Sequence, residues 1–295
     1  MALFGRKSDI KIGIALGGGG FRGLAHIGVI AALEEHGIMP DFICGTSVGS
    51  LVGAAWATGM TAAEMKEFGF TIKTHDIAPR LPLFYSTAKK IENTAARGIG
   101  RDLDFKDLKI PFACVAVDAQ RWKQIVFEKE GNVVKAVTAS CSVPVVFRPV
   151  EIDGTFYTDG GVHNNIPTSV AKSHHCDFII AVDVNGTREY GASSVKRGSM
   201  LSALLRSNVA KNSVEGMEDA DYVINADASA HRVLSVNDHQ ALFEIGYNAT
   251  ISAIPAIKEA LEKLKPRDAQ LKEEYREAKR EIKKNIKEYR AARKI

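Results

Sequence analysis

The sequence predicts an α/β fold, a three-layer sandwich with a mainly parallel central sheet flanked by helices. Short apolar runs typical of buried strands alternate with stretches in which apolar residues recur at helical spacing. Short turns rich in glycine join the two kinds of segment, beginning with a strand at 11–16 and the helix that follows Gly23. This alternation is typical of parallel sheets, because a helix must return the chain to the edge where the next strand starts.

The predicted elements run through residues 9–264, which one α/β domain explains most simply. The first helix ends at Gly37, a second strand follows at 41–44, and Gly49 opens the next helix. Further strands are expected at 111–117, 124–127, 178–184 and 221–225, and further helices at 133–139, around 201–214 and at 239–264.

Two stretches fit the predicted sheet poorly, residues 70–105 and 186–215. The first mixes apolar and basic residues with two prolines, and the second begins with a loop rich in glycine and serine. Long excursions of this kind often form lids and substrate-binding surfaces, although surface decoration explains either one equally well.

Composition favours a cytoplasmic protein without cofactor or metal. No basic start is followed by an apolar stretch, as in a signal peptide, and no window approaches the roughly 18 apolar residues of a spanning helix. Cys44 and Cys114 lie within apolar runs, as reduced core cysteines do. The sequence lacks the Cys-x-x-Cys and His-x-x-x-His spacings that are typical of metal sites.

The net charge of +4 is concentrated at the C-terminal end. Residues 266–295 carry 11 Lys or Arg and 6 Asp or Glu, so the body has no positive excess and nucleic-acid binding is not expected. Apolar residues recur there at helical spacing, which predicts a charged amphipathic helix over 265–295. This helix could dock on the body or form a homo-oligomer, lie on an anionic surface such as the inner membrane, or remain solvated.

Gly45-Thr46-Ser47-Val48-Gly49 lies between a predicted strand and a predicted helix, the context of a nucleophile elbow. Such a turn exposes the serine hydroxyl, and Gly45 and Gly49 remove side chains that would clash. Ser47 would also stand at a helix N-terminus, which favours developing negative charge. Ser47 is therefore a candidate nucleophile, with a tight turn capped by serine as the plain alternative.

The loop Gly18–Gly23 joins the first strand to the first helix and allows two interpretations. A dinucleotide-binding loop needs an acidic residue at the end of the next strand, but Asp41 begins that strand. An oxyanion hole needs backbone amides that converge on a carbonyl oxygen, and this loop and Ser47 share the carboxyl ends of parallel strands. The predicted oxyanion-hole residues are Gly18, Gly19 and Gly20, with Arg22 supporting the loop.

Asp159-Gly160-Gly161 is the third motif. An Asp-Gly pair is a strong turn signal, so a plain turn is one interpretation. In the functional interpretation, Asp159 is the partner of Ser47.

Together these motifs resemble the patatin-like phospholipases, in particular bacterial members grouped with neuropathy-target-esterase-type proteins. The resemblance rests on four segments in the family's order, the glycine loop and residues 45–49, 139–147 and 159–161. It covers about residues 11–185 and implies a catalytic domain over 9–264. It also implies a dyad of Ser47 as nucleophile and Asp159 as base, without a catalytic histidine. Gly161 stands where many members have alanine.

The resemblance implies hydrolysis of carboxylic ester bonds in lipids, including phospholipids, through an acyl-enzyme on Ser47. A lipid or another acyl ester is the expected substrate. The alternatives are a general carboxylesterase or thioesterase for short acyl chains, and a regulatory binding protein with an inactive site, against which the intact motifs argue. The residues alone also leave a triad open, because His163 and His239 follow Asp159 in the order Ser, Asp, His.

Overall fold

The computed structural model describes residues 10–77, 86–186, 200–233 and 238–264. The chain divides into two compact units, residues 11–254 on one hand and residues 1–10 with 255–295 on the other. The predicted amphipathic helix over 265–295 lies outside the described residues. No helix in the described ranges is both long and apolar enough to span a bilayer.

Eight strands of the described residues form one sheet. They are β1 (Ile12–Leu16), β2 (Phe42–Thr46), β3 (Phe112–Asp118), β4 (Lys123–Glu128), β5 (Val150–Ile152), β6 (Thr155–Asp159), β7 (Phe178–Asp183) and β8 (Tyr222–Asn225). The helices are α1 (Leu24–Glu35), α2 (Val48–Ala57), α3 (Ala62–Thr71), α4 (Thr74–Ile77), α5 (Lys89–Ile99), α6 (Val133–Ser140), α7 (Thr168–Ser173), α8 (Met200–Glu218) and α9 (239–264). Short 3-10 turns cover Gly20–Gly23, Phe105–Asp107 and Gly160–Val162.

The sheet has a parallel part and an antiparallel part. Hydrogen-bonded pairs connect the strands in the order β5-β6-β3-β2-β1-β7-β8, and β4 pairs with the edge of β3 that faces away from β2 and β6. The parallel part consists of five strands that all run in the same direction, β3, β2, β1, β7 and β8. β4 and β6 run antiparallel to β3, and β5 runs antiparallel to β6. The predicted α/β fold with a central, mainly parallel sheet is confirmed, whereas β5 and β6 were not predicted.

Helices cover both faces of this sheet. On one face, Phe42 and Cys44 of β2 pack in a buried cluster with Val170 of α7. On the other face, a Cβ added to Gly53 of α2 would lie 3.0 Å from the side chain of Ile43. Because successive strand residues point to opposite faces, β2 separates two helical layers. The predicted three-layer arrangement is therefore confirmed.

Candidate active site

Ser47 occupies a sharp turn between β2 and α2. Its backbone has φ 52° and ψ −131°, a conformation that costs energy for a residue with a side chain. Close backbone approaches require the glycines on either side. A Cβ on Gly45 would lie 2.5 Å from the backbone of Gly49, and one on Gly49 would lie 2.1 Å from the carbonyl oxygen of Leu16. The strand, turn and helix around Ser47 thus have the form of a nucleophile elbow.

β3 brings Ser47 and Asp159 together. Thr46, the last residue of β2, is opposite Val115, and Asp159, the last residue of β6, is opposite the next residue, Ala116. β4 pairs with β3 over the same stretch and takes its other edge, so β2 and β6 share one edge. β2 is parallel and β6 antiparallel to β3, so their carboxyl ends meet. The two predicted site residues, 112 positions apart in the chain, are neighbours for this reason.

The carboxylate of Asp159 is buried, with a relative exposure of 5%. Burial raises the pKa of Asp159 to about 6, because the charged form loses hydration. Hydrogen bonds from the Ser47 hydroxyl and from the Gly161 N–H, 2.8 Å from Oδ1, partly oppose this rise. Asp159 is therefore mostly ionised at neutral pH yet more basic than an ordinary aspartate. It is suited to accept a proton from the hydroxyl beside it.

The glycine loop lies against Ser47. A Cβ on Gly18 would be 3.1 Å from the Cβ of Ser47, and Gly20 and Ser47 line the same cavity. The predicted role of Gly18 needs correction, because its N–H donates to the carbonyl of Asn165 at 3.1 Å and is thus already engaged. Among the described residues, no acceptor is bonded to the N–H groups of Gly19 and Gly20.

Arg22 is buried beneath the glycine loop. Its guanidinium donates to the carbonyls of His231 and Ser229, each at 2.9 Å, and to Oδ1 of Asn185 at 3.0 Å. None of its hydrogen bonds to described residues reaches the Ser–Asp pair. Arg22 thus ties the glycine loop to the segments after β7 and β8.

Ser47 lies in the wall of an apolar cavity. Together with its open mouth, the cavity contains about 1190 Å³ of space not filled by protein atoms. Hydroxyl groups in the lining belong to Ser47 and Thr94, and Cys141 adds a thiol. Residues 70–105, which fitted the sheet poorly, contribute apolar wall residues, among them Ile72, Ile77, Ile91 and Ile99. The site thus combines a polar pair with an apolar cavity.

The two histidines of the alternative triad have other partners. The ring of His163 contacts Trp122 edge-on, with centroids 5.9 Å apart. The ring of His239 forms a hydrogen bond with the carbonyl of Ile72 at 2.9 Å. In the part of the chain that the structure describes, neither ring bonds to Ser47 or Asp159. That part also contains no cluster of three or more His, Cys, Asp or Glu side chains that could hold a metal ion.

Comparison with known families gives the same assignment as the motifs. The family model for patatin-like phospholipases matches residues 14–172, more than half of the chain. The chain belongs to the patatin-like phospholipase family. The matched range contains the glycine loop, the Ser47 turn and Asp159.

Relatives of this patatin-like chain include proteins of greater length. An uncharacterised NTE family protein of Mycobacterium tuberculosis is 35% identical over 189 residues, which are 61% of this chain and 51% of that protein. The lysophospholipase NTE1 of Eremothecium gossypii is 32% identical over 186 residues, which are 60% of this chain and 12% of that protein. The chain thus spans about half the length of the mycobacterial relative.

The fold also resembles a solved structure, that of VipD from Legionella pneumophila. The TM-score is 0.58, and the match covers 84% of this chain and 67% of VipD at 13% identity. At this identity the likeness concerns the fold alone.

Three buried polar residues near the site of this patatin-like chain were not predicted from the sequence, namely Ser140, Asn165 and His26. Ser140 binds the backbone of the Ser47 turn, and the Asn165 carbonyl holds the glycine loop. The His26 ring lies 2.8 Å from the carbonyl of Gly17, and burial lowers the pKa of His26 to about 4, so this ring is neutral. The sequence signal for such a residue is a polar side chain within an apolar run. This signal does not reveal which group the side chain bonds to.

Proposed function

We propose that this protein is a serine hydrolase that cleaves carboxylic ester bonds of lipids. The observation that carries the proposal is that β2 and β6 end side by side on β3, which brings Ser47 next to the buried carboxylate of Asp159 at the wall of an apolar cavity. Membership in the patatin-like phospholipase family and the lysophospholipase relative from Eremothecium gossypii support lipid esters as the substrate class.

The first half-reaction acylates Ser47. Asp159 accepts the hydroxyl proton as the serine oxygen attacks the ester carbonyl carbon. The carbonyl oxygen becomes an oxyanion, to which the N–H groups of Gly19 and Gly20 donate. The bond to the alcohol then breaks, and Asp159 returns the proton to the departing alcohol or lysolipid. Ser47 now carries the acyl group as an ester.

The second half-reaction uses water. Asp159 accepts a proton from a water molecule as the water oxygen attacks the acyl carbon. The second oxyanion collapses, the bond to Ser47 breaks, and the proton on Asp159 returns to the serine oxygen. A fatty acid leaves, and both residues regain their starting protonation states. The reaction consumes one ester and one water, and it uses no group other than those named.

The apolar cavity favours esters of long acyl chains as substrates over esters of short ones. Burying one methylene group contributes about 0.8 kcal/mol, and about 1.4 kcal/mol corresponds to a factor of ten in rate. Each methylene that the cavity accepts would therefore raise kcat/KM by roughly fourfold. A general carboxylesterase or thioesterase for short chains would lack this dependence.

The test is a series of p-nitrophenyl esters from acetate to palmitate, followed by fatty acid release from phosphatidylcholine and lysophosphatidylcholine. We expect kcat/KM to rise with chain length and Ser47→Ala to abolish turnover. Ser252→Ala, in the exposed part of α9, is the matched control and should leave turnover unchanged. Activity on short esters only would favour the carboxylesterase, and activity that survives in Ser47→Ala would refute the assignment. Inactivity of the wild-type protein on every ester would favour the regulatory binding protein.

We also propose peripheral contact with an anionic membrane surface. The basic composition of residues 266–295 supports it, as does Trp122, which is 54% exposed between Arg121 and Lys123 in the turn from β3 to β4. Aromatic rings beside cations suit the interface of an anionic bilayer. Sedimentation with phosphatidylcholine vesicles, with and without phosphatidylserine, should show weaker binding of Trp122→Ala than of the control Val214→Ala. Equal binding of the two variants would exclude Trp122 from the contact.

A further inference from the structure

Asn185 follows β7 and reaches back to the glycine loop. Its side-chain Nδ2 donates to the carbonyl oxygen of Gly18 at 2.7 Å. Its Oδ1 accepts from the guanidinium of Arg22 at 3.0 Å, and its backbone N–H donates to Oδ1 of Asp183 at 3.0 Å. Two bonds therefore fix the side chain, and the third holds the backbone of the same residue. Asp183 is two positions away in the chain, whereas the bond to Gly18 spans 167 positions.

The bond to the Gly18 carbonyl also fixes the next amide. A trans peptide is planar, so the N–H of Gly19 points away from the C=O of Gly18. Because that C=O faces Asn185, the Gly19 N–H faces the opposite side of the loop. Gly19 lies between Gly18, on which an added Cβ would be 3.1 Å from the Cβ of Ser47, and Gly20, which lines the cavity with Ser47. The orientation of one of the two available amides thus depends on Asn185.

The same chain of bonds polarises the amide. The positive guanidinium of Arg22 draws electron density from Oδ1 of Asn185, which makes the Nδ2–H group a stronger donor to Gly18. Hydrogen bonds in series reinforce one another in a low dielectric. A more polarised Gly18 carbonyl leaves the N–H of the same peptide, that of Gly19, more positive. The charge of Arg22 can therefore reach the oxyanion through Asn185 without direct contact.

We propose that Asn185 is a positioning residue of the oxyanion site, which orients and polarises the Gly19 N–H through the Gly18 carbonyl. This inference rests on the proposed serine hydrolase function. It assigns Asn185 no contact with the substrate. It also gives Arg22 a second effect besides holding the loop, because Asn185 passes its charge to the glycine peptide.

Asn185→Asp tests the proposal with the smallest change in shape. A carboxylate cannot donate to the Gly18 carbonyl, repels it, and attracts Arg22 in its place. One oxyanion donor contributes about 10²–10³ in rate, and a misaligned donor retains part of that, so we expect kcat to fall about tenfold or more while KM changes less than twofold. Asn185→Ala removes the donor without adding charge and replaces the Asp variant if thermal unfolding shows that the latter is not folded. Asn225→Asp, exposed at the end of β8, is the matched control and should keep the wild-type kcat.

A second measurement separates orientation from general damage. A trifluoromethyl ketone carrying the acyl chain adds to Ser47 and forms an oxyanion, whereas the matching methyl ketone remains largely uncharged. We expect the Asn185 variants to bind the trifluoromethyl ketone less tightly by about the same factor as kcat/KM falls, and to bind the methyl ketone as the wild type does. Equal losses for both ketones, or an unchanged kcat in the variants, would overturn the proposal. The proposal would also be overturned if kcat fell in Asn185→Asp but not in Asn185→Ala, because both variants lack the amide that donates to the Gly18 carbonyl.

The outcomes distinguish this inference from the proposed function. If wild-type turnover depends on Ser47 but the Asn185 variants keep it, the hydrolase function stands and the role of Asn185 fails. If the wild type hydrolyses no ester and Ser47→Ala behaves in the same way, the function fails, and the role of Asn185 fails with it.

Discussion

The hydroxyl of Ser140 accepts a hydrogen bond from the backbone N–H of Ser47 at 2.9 Å. The same hydroxyl donates to the carbonyl of Val115 in β3 at 2.6 Å. Ser140, the last residue of α6, thus links the turn that carries the candidate nucleophile to the middle of the sheet. Because Ser47 has a φ of 52°, this bond helps to hold a conformation that the residue would otherwise leave.

Ser140→Ala should therefore impair both stability and rate. The change leaves a buried N–H and a buried carbonyl without a partner, which should lower the free energy of unfolding by about 2 kcal/mol. Relaxation of the Ser47 turn should lower kcat about tenfold with little change in KM. Ser142→Ala is the control, because the Ser142 hydroxyl donates to Thr138 at 2.7 Å within the adjoining helix. It should lose stability but not kcat, and equal kcat values for the two variants would contradict the link.

The rate should depend on pH through Asp159. Burial raises the pKa of Asp159 to about 6, and the base acts only when it is ionised. The kcat/KM for a soluble ester should therefore rise tenfold per pH unit at low pH, bend near pH 6, and stay level above it. A bend near pH 4, where an ordinary aspartate titrates, would show that Asp159 is not desolvated in the free enzyme.

The same raised pKa makes Asp159 a source of instability. The folded state binds the Asp159 proton more tightly than the unfolded state, so stability falls as the pH rises from about 4 to about 6. Asp159→Asn removes the buried charge and should raise the free energy of unfolding at pH 8 by roughly 2–3 kcal/mol. The gain should vanish near pH 3.5 while activity is lost at every pH. Asp153→Asn, in the exposed turn between β5 and β6, is the control. If Asp159→Asn is no more stable than the wild type at pH 8, the buried Asp159 carboxylate does not destabilise the fold as proposed.

Burial explains why the sequence predicted β1, β2, β3 and β7, whereas β4 and β8 are mostly half-exposed and were predicted from short apolar runs. Every residue of β1, β2, β3 and β7 is buried, because helices cover both faces, and such strands appear as continuous apolar runs. β5 and β6 are short and half-exposed, so no apolar run marks them. Their available signal was the Asp153-Gly154 pair between alternating residues, which is typical of a hairpin turn.

Local patterns likewise predicted the parts of the site that local structure determines. The Ser47 turn and the glycine loop each follow from spacing within a few residues, because glycine is needed where backbones approach closely. The engaged amide of Gly18 and the bond between Arg22 and Asn185 depend on partners far along the chain, 163 positions apart in the second case. Spacing within a motif carries no information on such pairs.

Ala55 offers a test of the cavity as the acyl site. It lines the cavity from α2, eight residues beyond Ser47, which is about 12 Å along the helix at 1.5 Å per residue. A short acyl group on Ser47 would not extend this far, whereas a long chain would. Ala55→Phe fills that part of the cavity and should lower kcat/KM for the palmitate ester at least tenfold while the acetate ester is hydrolysed within twofold of the wild-type rate.

The control for Ala55→Phe is Ala63→Phe, which adds the same ring on the exposed side of α3. It should leave the chain-length profile unchanged. If Ala55→Phe lowers kcat/KM for both esters equally, the ring disturbs the Ser47 turn through α2. Such a result would not support binding of the acyl chain in the cavity. If neither ester is affected, the long chain does not enter between α2 and the helices that face it. Only a selective loss of kcat/KM for the palmitate ester supports the apolar cavity as the acyl site. In that case the added ring is reached by a long acyl chain and not by a short one.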